Sequence, residues 1–193
     1  MKYQHKIIKK MKIYDGFFKL HELTFLHKKH NGQWSNEVKR EIFSGASVAT
    51  VLPYDPIKKR IVLLNQFRAG VLEQKENPMM NEIVAGIIDE GEKPEDAAIR
   101  ECYEETGCKI NKIKTIQSYF PAPGSSESYY HLFLGEVESF EGTRIMGLSN
   151  EDEDILVRSY TISEIKKLLF EKKIINGLTL IALQWFFLEH YKG

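Results

Sequence analysis

The first half of the chain alternates short apolar runs with turn residues, a pattern typical of β-strands. Asn31-Gly32 gives a tight-turn signal between the first two runs. Gly45 marks a break, and residues 53–56, which begin and end with Pro, predict another turn. The strands that this pattern predicts lie at about residues 18–29, 37–43, 46–52, 60–67 and 82–85.

The second half combines helices with further strands. Pro94 suits the first turn of a helix, because its missing N–H would have no intrahelical partner there, and Gly107 suits a helix C-terminus. The predicted helices lie at about residues 93–106, 163–172 and 178–191, and the predicted strands at 110–120, 129–137 and 155–160. Because helices and strands do not alternate regularly, the pattern favours an α+β fold over a doubly wound parallel sheet.

The composition is that of an ordinary globular protein, with 42% hydrophobic and 28% charged residues. The 27 basic and 27 acidic residues cancel, which argues against a general nucleic-acid binder. The N-terminus lacks the apolar run of a signal peptide, and residues 178–188 are too short to span a bilayer, which takes about 20 helical residues. Cys102 and Cys108 fit neither a disulfide framework nor a zinc pattern. We therefore expect a reduced, cytoplasmic protein.

Three carboxylates gather on one side of the predicted helix at residues 93–106. At about 100° per residue, Glu101, Glu104 and Glu105 fall within one arc. The positions expected to face the core are Ile99, Cys102, Tyr103 and Thr106. Only Arg100 reaches toward one of these carboxylates at i,i+4, so they should repel one another, and a hard divalent cation would relieve that repulsion. Spacing alone leaves open both a metal site and an ordinary charged face.

The segment at residues 86–108 matches the Nudix box, Gly-x5-Glu-x7-Arg-Glu-U-x-Glu-Glu-x-Gly-U, in which U is aliphatic. The matching residues are Gly86, Glu92, Arg100, Glu101, Glu104, Glu105 and Gly107. Seven fixed residues over 23 positions make a specific signal. Cysteines occupy both U positions, and because Cys behaves as a small buried hydrophobe these departures leave the chemistry intact. The chain therefore resembles the Nudix hydrolases.

The resemblance extends along the chain and is greatest to the ADP-ribose pyrophosphatase branch of that superfamily. The segments that carry it are Phe17-Phe18, residues 37–43, residues 65–68, Pro123, residues 150–155 and residues 181–185. The resemblance implies a Nudix fold, a mixed β-sheet sandwiched between helices, at residues 46–193. It also implies an N-terminal β-subdomain at residues 1–45, which is typically exchanged across a homodimer in this branch.

The resemblance also implies roles for individual residues. Mg²⁺, with Mn²⁺ as a possible substitute, would be held by the Ala85 carbonyl, Glu101 and Glu105. Glu92, Glu104 and Glu153 would support or complete this metal site, and Glu92 could act by fixing Arg100. Glu151 would orient and deprotonate the attacking water, with Glu153 as the competing candidate. The substrate-binding candidates are Arg40, Arg68, Phe18 and Gly124.

We expect hydrolysis of the diphosphate bond of ADP-ribose to AMP and ribose 5-phosphate. Three other functions stay open. GDP-mannose or another nucleoside diphosphate sugar could be the substrate, since those hydrolases share the box and the acidic run at residues 151–154. A Nudix module without catalysis could sense a ligand, although such modules usually lack intact box glutamates. RNA-cap hydrolysis is less compatible with a chain that has no basic patch.

Overall fold

The computed structural model describes residues 3–147 and 154–192, which form two compact units. Unit 1 comprises the described residues up to Ser47 together with Tyr119–Tyr130, and unit 2 comprises the rest. The division predicted between residues 45 and 46, with its separate roles for the two parts, stays a prediction.

Unit 1 contains a three-stranded antiparallel sheet. Its strands are β1 (His5–Asp15), β2 (Lys19–His27) and β3 (Val38–Ser44), paired in the order β1-β2-β3. The apolar pattern does not reveal β1, because two register shifts, at Ile7/Lys9 and Lys12/Tyr14, break the alternation along it. Every residue of β1 is exposed to solvent. The strand is therefore held mainly by its hydrogen bonds to β2, without a buried face of its own.

Unit 2 is built on an eight-stranded sheet with three α-helices. The strands are β4 (Ser47–Asp55), β5 (Arg60–Phe67), β6 (Met79–Glu82), β7 (Val84–Ile87), β8 (Ile110–Tyr119), β9 (Tyr129–Val137), β10 (Thr143–Met146) and β11 (Ile155–Thr161). The helices are α1 (Pro94–Thr106), α2 (Ile162–Phe170) and α3 (Gly177–Trp185). The strand order is β10-β11-β5-β4-β9-β8, with β6 paired to β5 and β7 to β4. The predicted α+β class is confirmed.

Two local predictions are wrong, and the last helix is present with a different final turn. Residues 53–56 are not a turn: β4 continues through Pro53 to Asp55, and Pro53 stands where β4 changes partner from β7 to β5. The turn follows instead, where Asp55 Oδ1 accepts from the backbone N–H groups of Ile57 and Lys58, each at 2.9 Å. The strand expected at 82–85 is two strands, β6 and β7, which pair with different neighbours. The last helix gives way to a π-helical turn at Phe186–His190.

The central strands β4 and β5 of the unit 2 sheet are buried on both faces. Alternate residues of β4 and β5, such as Val51 and Leu64, join one core cluster with Ala98 and Cys102 of α1. The intervening residues, such as Ile61, are equally buried, and successive side chains of a strand point to opposite faces. This double coverage fixes the ends of β5 and β7, where the functional residues lie. In the part of the chain that is described, no helix has both the length and the apolar character needed to cross a membrane.

Candidate functional site

The box residues lie on β7, on α1 and on the loop between them. Gly91 takes a positive φ of 82° in this loop, and the Asp89 N–H donates to Glu92 Oε2 at 3.0 Å. Pro94 is in the first turn of α1, and Gly107 ends the helix in the left-handed conformation at φ 69°. These features confirm the predicted helix bounds to within a residue, and they place the box glutamates beside β7.

Arg100 is the centre of the hydrogen bonding in the box. Its Nε and Nη2 donate to the two carboxylate oxygens of Glu92, each at 2.9 Å. Its Nη1 donates to Glu101 Oε1 at 2.7 Å and to Glu104 Oε2 at 3.1 Å, and its Nη2 also donates to the Ile87 carbonyl at 3.2 Å. Hydrogen bonding from Arg100 lowers the pKa of Glu92 to about 2. The expectation of uncompensated carboxylates is therefore wrong for Glu101 and Glu104, since one guanidinium binds both of them as well as Glu92.

The orientation predicted for α1 is right for Cys102 and Thr106, which are buried, and wrong for Ile99, Tyr103 and Glu105. Glu105 is buried on the side of the helix that packs against the sheet, with Ala98 and Cys102, whereas Ile99 and Tyr103 are exposed. The reason is the contact between α1 and β7. A Cβ at Gly86 would overlap the carboxylate of Glu101, so the missing side chain makes room for that group. A helical face that meets a glycine can hold polar side chains that a wheel diagram assigns to solvent.

Glu101 and Glu105 both lie against the backbone of β7. Glu105 Oε2 accepts from the Ala85 N–H at 3.3 Å, and Ala85 is opposite Thr50 in the ladder between β4 and β7. Within residues 3–147 and 154–192, no group of three or more His, Cys, Asp or Glu could hold a metal. Mg²⁺ does not require such a cage, because it keeps several waters and often takes one or two carboxylates together with substrate phosphates. The oxygen donors along β7 fit a divalent cation of this kind.

The two box cysteines are free and buried, as expected for substitutes of aliphatic residues. Burial raises the pKa of Cys102 to about 12. A thiol with so high a pKa is a poor nucleophile at neutral pH, so Cys102 serves packing.

The remaining predicted site residues are distributed over the two units. Arg68 follows β5 in unit 2, and its guanidinium binds the buried Glu82 at the end of β6. Phe18, Arg40 and Gly124 belong to unit 1, where Phe18 is 61% exposed and meets Phe17 edge-on at 4.9 Å between ring centroids. Arg40 Nη1 donates to the Lys39 carbonyl at 2.7 Å. The predicted catalytic residues Glu151 and Glu153 lie outside the described residues.

The sequence analysis misses the partners of Arg68. Glu82 accepts from the guanidinium. Gln66 and Asn176 in turn donate to Glu82. A signal for Glu82 exists in the sequence: a carboxylate in an otherwise apolar strand is informative, since Glu is almost never fully buried unless it is paired. No comparable signal marks Asn176, which lies 94 positions away in the chain.

The family comparison matches the same part of the chain. The model of the NUDIX domain matches residues 45–178, which include the whole box. A solved structure entitled "Crystal structure of ADP compounds hydrolase" superposes with a TM-score of 0.71 and covers 95% of this chain and 94% of its own. At 18% identity this neighbour supports the fold alone.

Curated relatives are similar over nearly the full length. The ADP-ribose pyrophosphatase of Escherichia coli strain K12 is 39% identical over 185 residues, covering 96% of this chain and 88% of its own. The ADP-ribose pyrophosphatase of Haemophilus influenzae is 36% identical, with coverages of 96% and 87%. The GDP-mannose pyrophosphatase of Salmonella arizonae is 30% identical, with coverages of 97% and 97%. With the box geometry, the fold and these relatives in agreement, the chain belongs to the Nudix family and is a Nudix hydrolase.

Proposed function

We propose that this chain hydrolyses ADP-ribose to AMP and ribose 5-phosphate with Mg²⁺, for which Mn²⁺ could substitute. The observation that carries the proposal is the pair Glu101 and Glu105 beside β7. Arg100 and the space at Gly86 position Glu101, and the Ala85 N–H donates to Glu105. Relatives named ADP-ribose pyrophosphatase are 36–39% identical to the chain, against 28–30% for those named GDP-mannose pyrophosphatase. Both groups of relatives support a nucleoside diphosphate derivative as substrate.

The residues divide the work between positioning and proton transfer. Glu101 and Glu105 would hold the cation together with the Ala85 carbonyl, with Glu92 acting through Arg100 and Glu104 beside it. When bound, the cation would neutralise charge on the diphosphate and make the attacking water more acidic. Glu151, or Glu153 in its place, would accept the proton of that water as it attacks phosphorus, and the other phosphate would leave. Glu153 could also complete the cation site.

Substrate binding would draw on the cationic and aromatic candidates. Arg68 and Arg40 would contact the phosphates of the substrate, and Gly124 would also contact the substrate. Phe18 would stack on the base, and because stacking does not discriminate adenine from guanine, preference must come from polar groups at the base edge. An unpaired polar group there costs about 1–3 kcal/mol.

The decisive test of the substrate is kcat/KM for ADP-ribose and GDP-mannose under identical Mg²⁺. We expect ADP-ribose to be preferred. A tenfold higher kcat/KM for GDP-mannose, about 1.4 kcal/mol of transition-state binding, would contradict ADP-ribose as the preferred substrate. It would leave the proposed hydrolytic chemistry unchanged.

Metal dependence is tested with Glu105→Gln. The substitution keeps the shape of the buried side chain, so we expect a folded protein whose kcat is lower by about 10²-fold or more, the scale of losing an electrostatic contact in the transition state. Glu95→Gln is the matched control, because Glu95 is exposed in the first turn of the same helix, and it should keep wild-type kcat. Undiminished hydrolysis in excess EDTA would contradict the proposal.

We also propose a homodimer, with the sheet of unit 1 docked on a second copy. Residues 1–47 and 119–130 carry ten Lys or Arg and five Asp or Glu, a net charge of +5, which leaves −5 for the remainder. The exposed apolar residues of unit 1 include Ile7, Ile13, Phe17 and Phe18. Small sheets without a packed face are marginal in water, and opposite charges favour contact between unlike parts of two copies.

Free, buried cysteines fit the reducing cytoplasm that we propose as location.

A further inference from the structure

A cluster of polar side chains outside the box surrounds Glu82, the last residue of β6. Glu82 is only 3% exposed. Its Oε2 accepts from Arg68 Nε at 2.9 Å, from Arg68 Nη2 at 2.7 Å and from Gln66 Nε2 at 3.3 Å. Its Oε1 accepts from Asn176 Nδ2 at 2.8 Å. A buried carboxylate is costly unless it is paired and hydrogen-bonded, and here both of its oxygens are bonded.

The contact with Glu82 restricts the guanidinium of Arg68. A guanidinium is a rigid planar fork with five N–H groups. Because Glu82 binds Nε and Nη2, it fixes the plane of the group and turns the edge that carries Nη1 away from the carboxylate. The side chain of Arg68 is 45% exposed, against 4% for Glu82. Glu82 thus holds the guanidinium of Arg68 from the buried side, and the side chain is exposed to solvent on its other side.

Asn176 connects this pair to the start of α3. Its Oδ1 accepts from the Thr179 N–H at 3.0 Å, which caps the helix, while its Nδ2 donates to Glu82. Thr179 Oγ1 in turn accepts from the Ile83 N–H at 3.0 Å, directly after Glu82. The N-terminus of α3 therefore contacts both Glu82 and the strand segment that follows it.

We propose that Glu82 is a positioning residue that aims Arg68 at the diphosphate of the substrate, and that Asn176 holds Glu82 for this purpose. The assignment rests on the proposed function, in which Arg68 contacts the diphosphate. An arginine that is held in place before binding loses less rotamer freedom when it meets an anion. Since the contact is made in the ground state as well as in the transition state, its loss raises KM more than it lowers kcat.

The test is a double-mutant cycle on the affinity for ADP, measured by titration calorimetry with the full chain. Arg68→Met and Glu82→Gln should each weaken ADP binding about tenfold, the scale of one charge-assisted contact. The double variant should bind no more weakly than Arg68→Met alone, because Glu82 acts through Arg68. Steady-state kinetics of Glu82→Gln should show the same increase in KM with a smaller change in kcat.

A purely structural role for Glu82 gives different results. Thr161→Val is the control, since it removes the side-chain cap of α2, whose hydroxyl bonds Glu164, and leaves Arg68, Glu82 and Asn176 in place; it should lower Tm and leave the Kd for ADP unchanged. Asn176→Ser keeps a capping side chain and removes the amide that holds Glu82, so it should raise Kd even if Glu82→Gln does not fold. Its effect too should vanish in the Arg68→Met background.

Three results would overturn the assignment: effects of Glu82→Gln and Arg68→Met that add, a wild-type Kd in Glu82→Gln, or a wild-type Kd in Arg68→Met. The proposed hydrolysis fails separately. If the wild type cleaves neither ADP-ribose nor GDP-mannose, the proposed reaction is contradicted. If the effects of the Arg68 and Glu82 variants on ADP binding are still non-additive, the role of Glu82 remains supported.

Discussion

Two residues of the box restrict the carboxylate of Glu101: Gly86 leaves room for it, and Arg100 binds one of its oxygens. Arg100 is itself fixed by both oxygens of Glu92, whose pKa of about 2 keeps that carboxylate ionised through any ordinary pH. At the residue scale the site therefore depends on an empty space as much as on charges. A glycine in a strand often marks such a close approach.

Gly86→Ala should abolish most of the activity. The new Cβ would overlap Glu101, so either the carboxylate or α1 must shift, and we expect kcat to fall by at least about 10²-fold. Gly70→Ala is the control, because a Cβ there meets nothing within 4 Å. The measurements are kcat and Tm for both variants. A wild-type kcat in Gly86→Ala would show that the carboxylate of Glu101 does not need the space at Gly86.

The elements that end the chain are held by aromatic packing around His190. Its ring stacks on Trp185 at 5.9 Å and meets Phe186 at 5.5 Å and Tyr54 of β4 at 5.8 Å between centroids. Burial lowers the pKa of His190, with a smaller contribution from Lys114 and an opposing one from Glu136. The π-helical turn is thus packed on the sheet through the ring of His190, which keeps its neutral form to a lower pH than an ordinary histidine does.

Stability should decline as pH falls through the ordinary histidine range, near 6.5. The unfolded chain binds a proton there that the folded His190 resists, so each step toward acid favours unfolding. In His190→Phe an aromatic ring still fills the site, and the loss of folding stability at low pH that His190 causes should disappear. We expect the Tm of the wild type relative to His190→Phe to drop between pH 8 and pH 5, because the folded His190 takes up a proton less readily than the unfolded chain does.

His5→Phe serves as the comparison, because His5 is exposed on β1. Its pH dependence should follow the wild type. Parallel melting curves for the wild type and His190→Phe across this pH range would rule out His190 as the group responsible.

At the scale of the whole molecule, the charges are divided unevenly although they cancel in total. Residues 1–47 and 119–130 hold a net +5 and the remainder a net −5. Residues 1–47 alone carry +6 and residues 119–130 add −1, so the division is set mainly by the first 47 positions of the sequence. It supports association between copies, which net charge alone would not suggest.

Light scattering at micromolar concentration should give twice the 22.4 kDa of the single chain. The double substitution of Ile7 and Ile13 by Lys removes exposed apolar surface from β1, and we expect it to shift the mass toward the monomer. Ile57→Lys is the matched control, since Ile57 is 90% exposed in the turn after β4, and it should leave the mass unchanged. A wild-type mass of 22.4 kDa would contradict the dimer.

The sequence by itself determined the family, the α+β class and the bounds of α1. Each of these depends on local signals: seven fixed box positions, apolar periodicity, and Pro94 and Gly107 at the helix ends. β5 and β9 are likewise predicted residue for residue, because each is a mostly apolar run between turns. Local chemistry decides such features before any tertiary contact forms.

Only the tertiary structure decided which neighbours each charged residue has. The wheel placed Glu105 toward solvent, and the packing of α1 on β7 buried it. Spacing paired Arg100 with Glu104 alone, and the loop before the helix brought Glu92 to the same guanidinium. Asn176 meets Glu82 across 94 positions of sequence. Contacts of this kind depend on where separate elements meet, which periodicity along one element cannot encode.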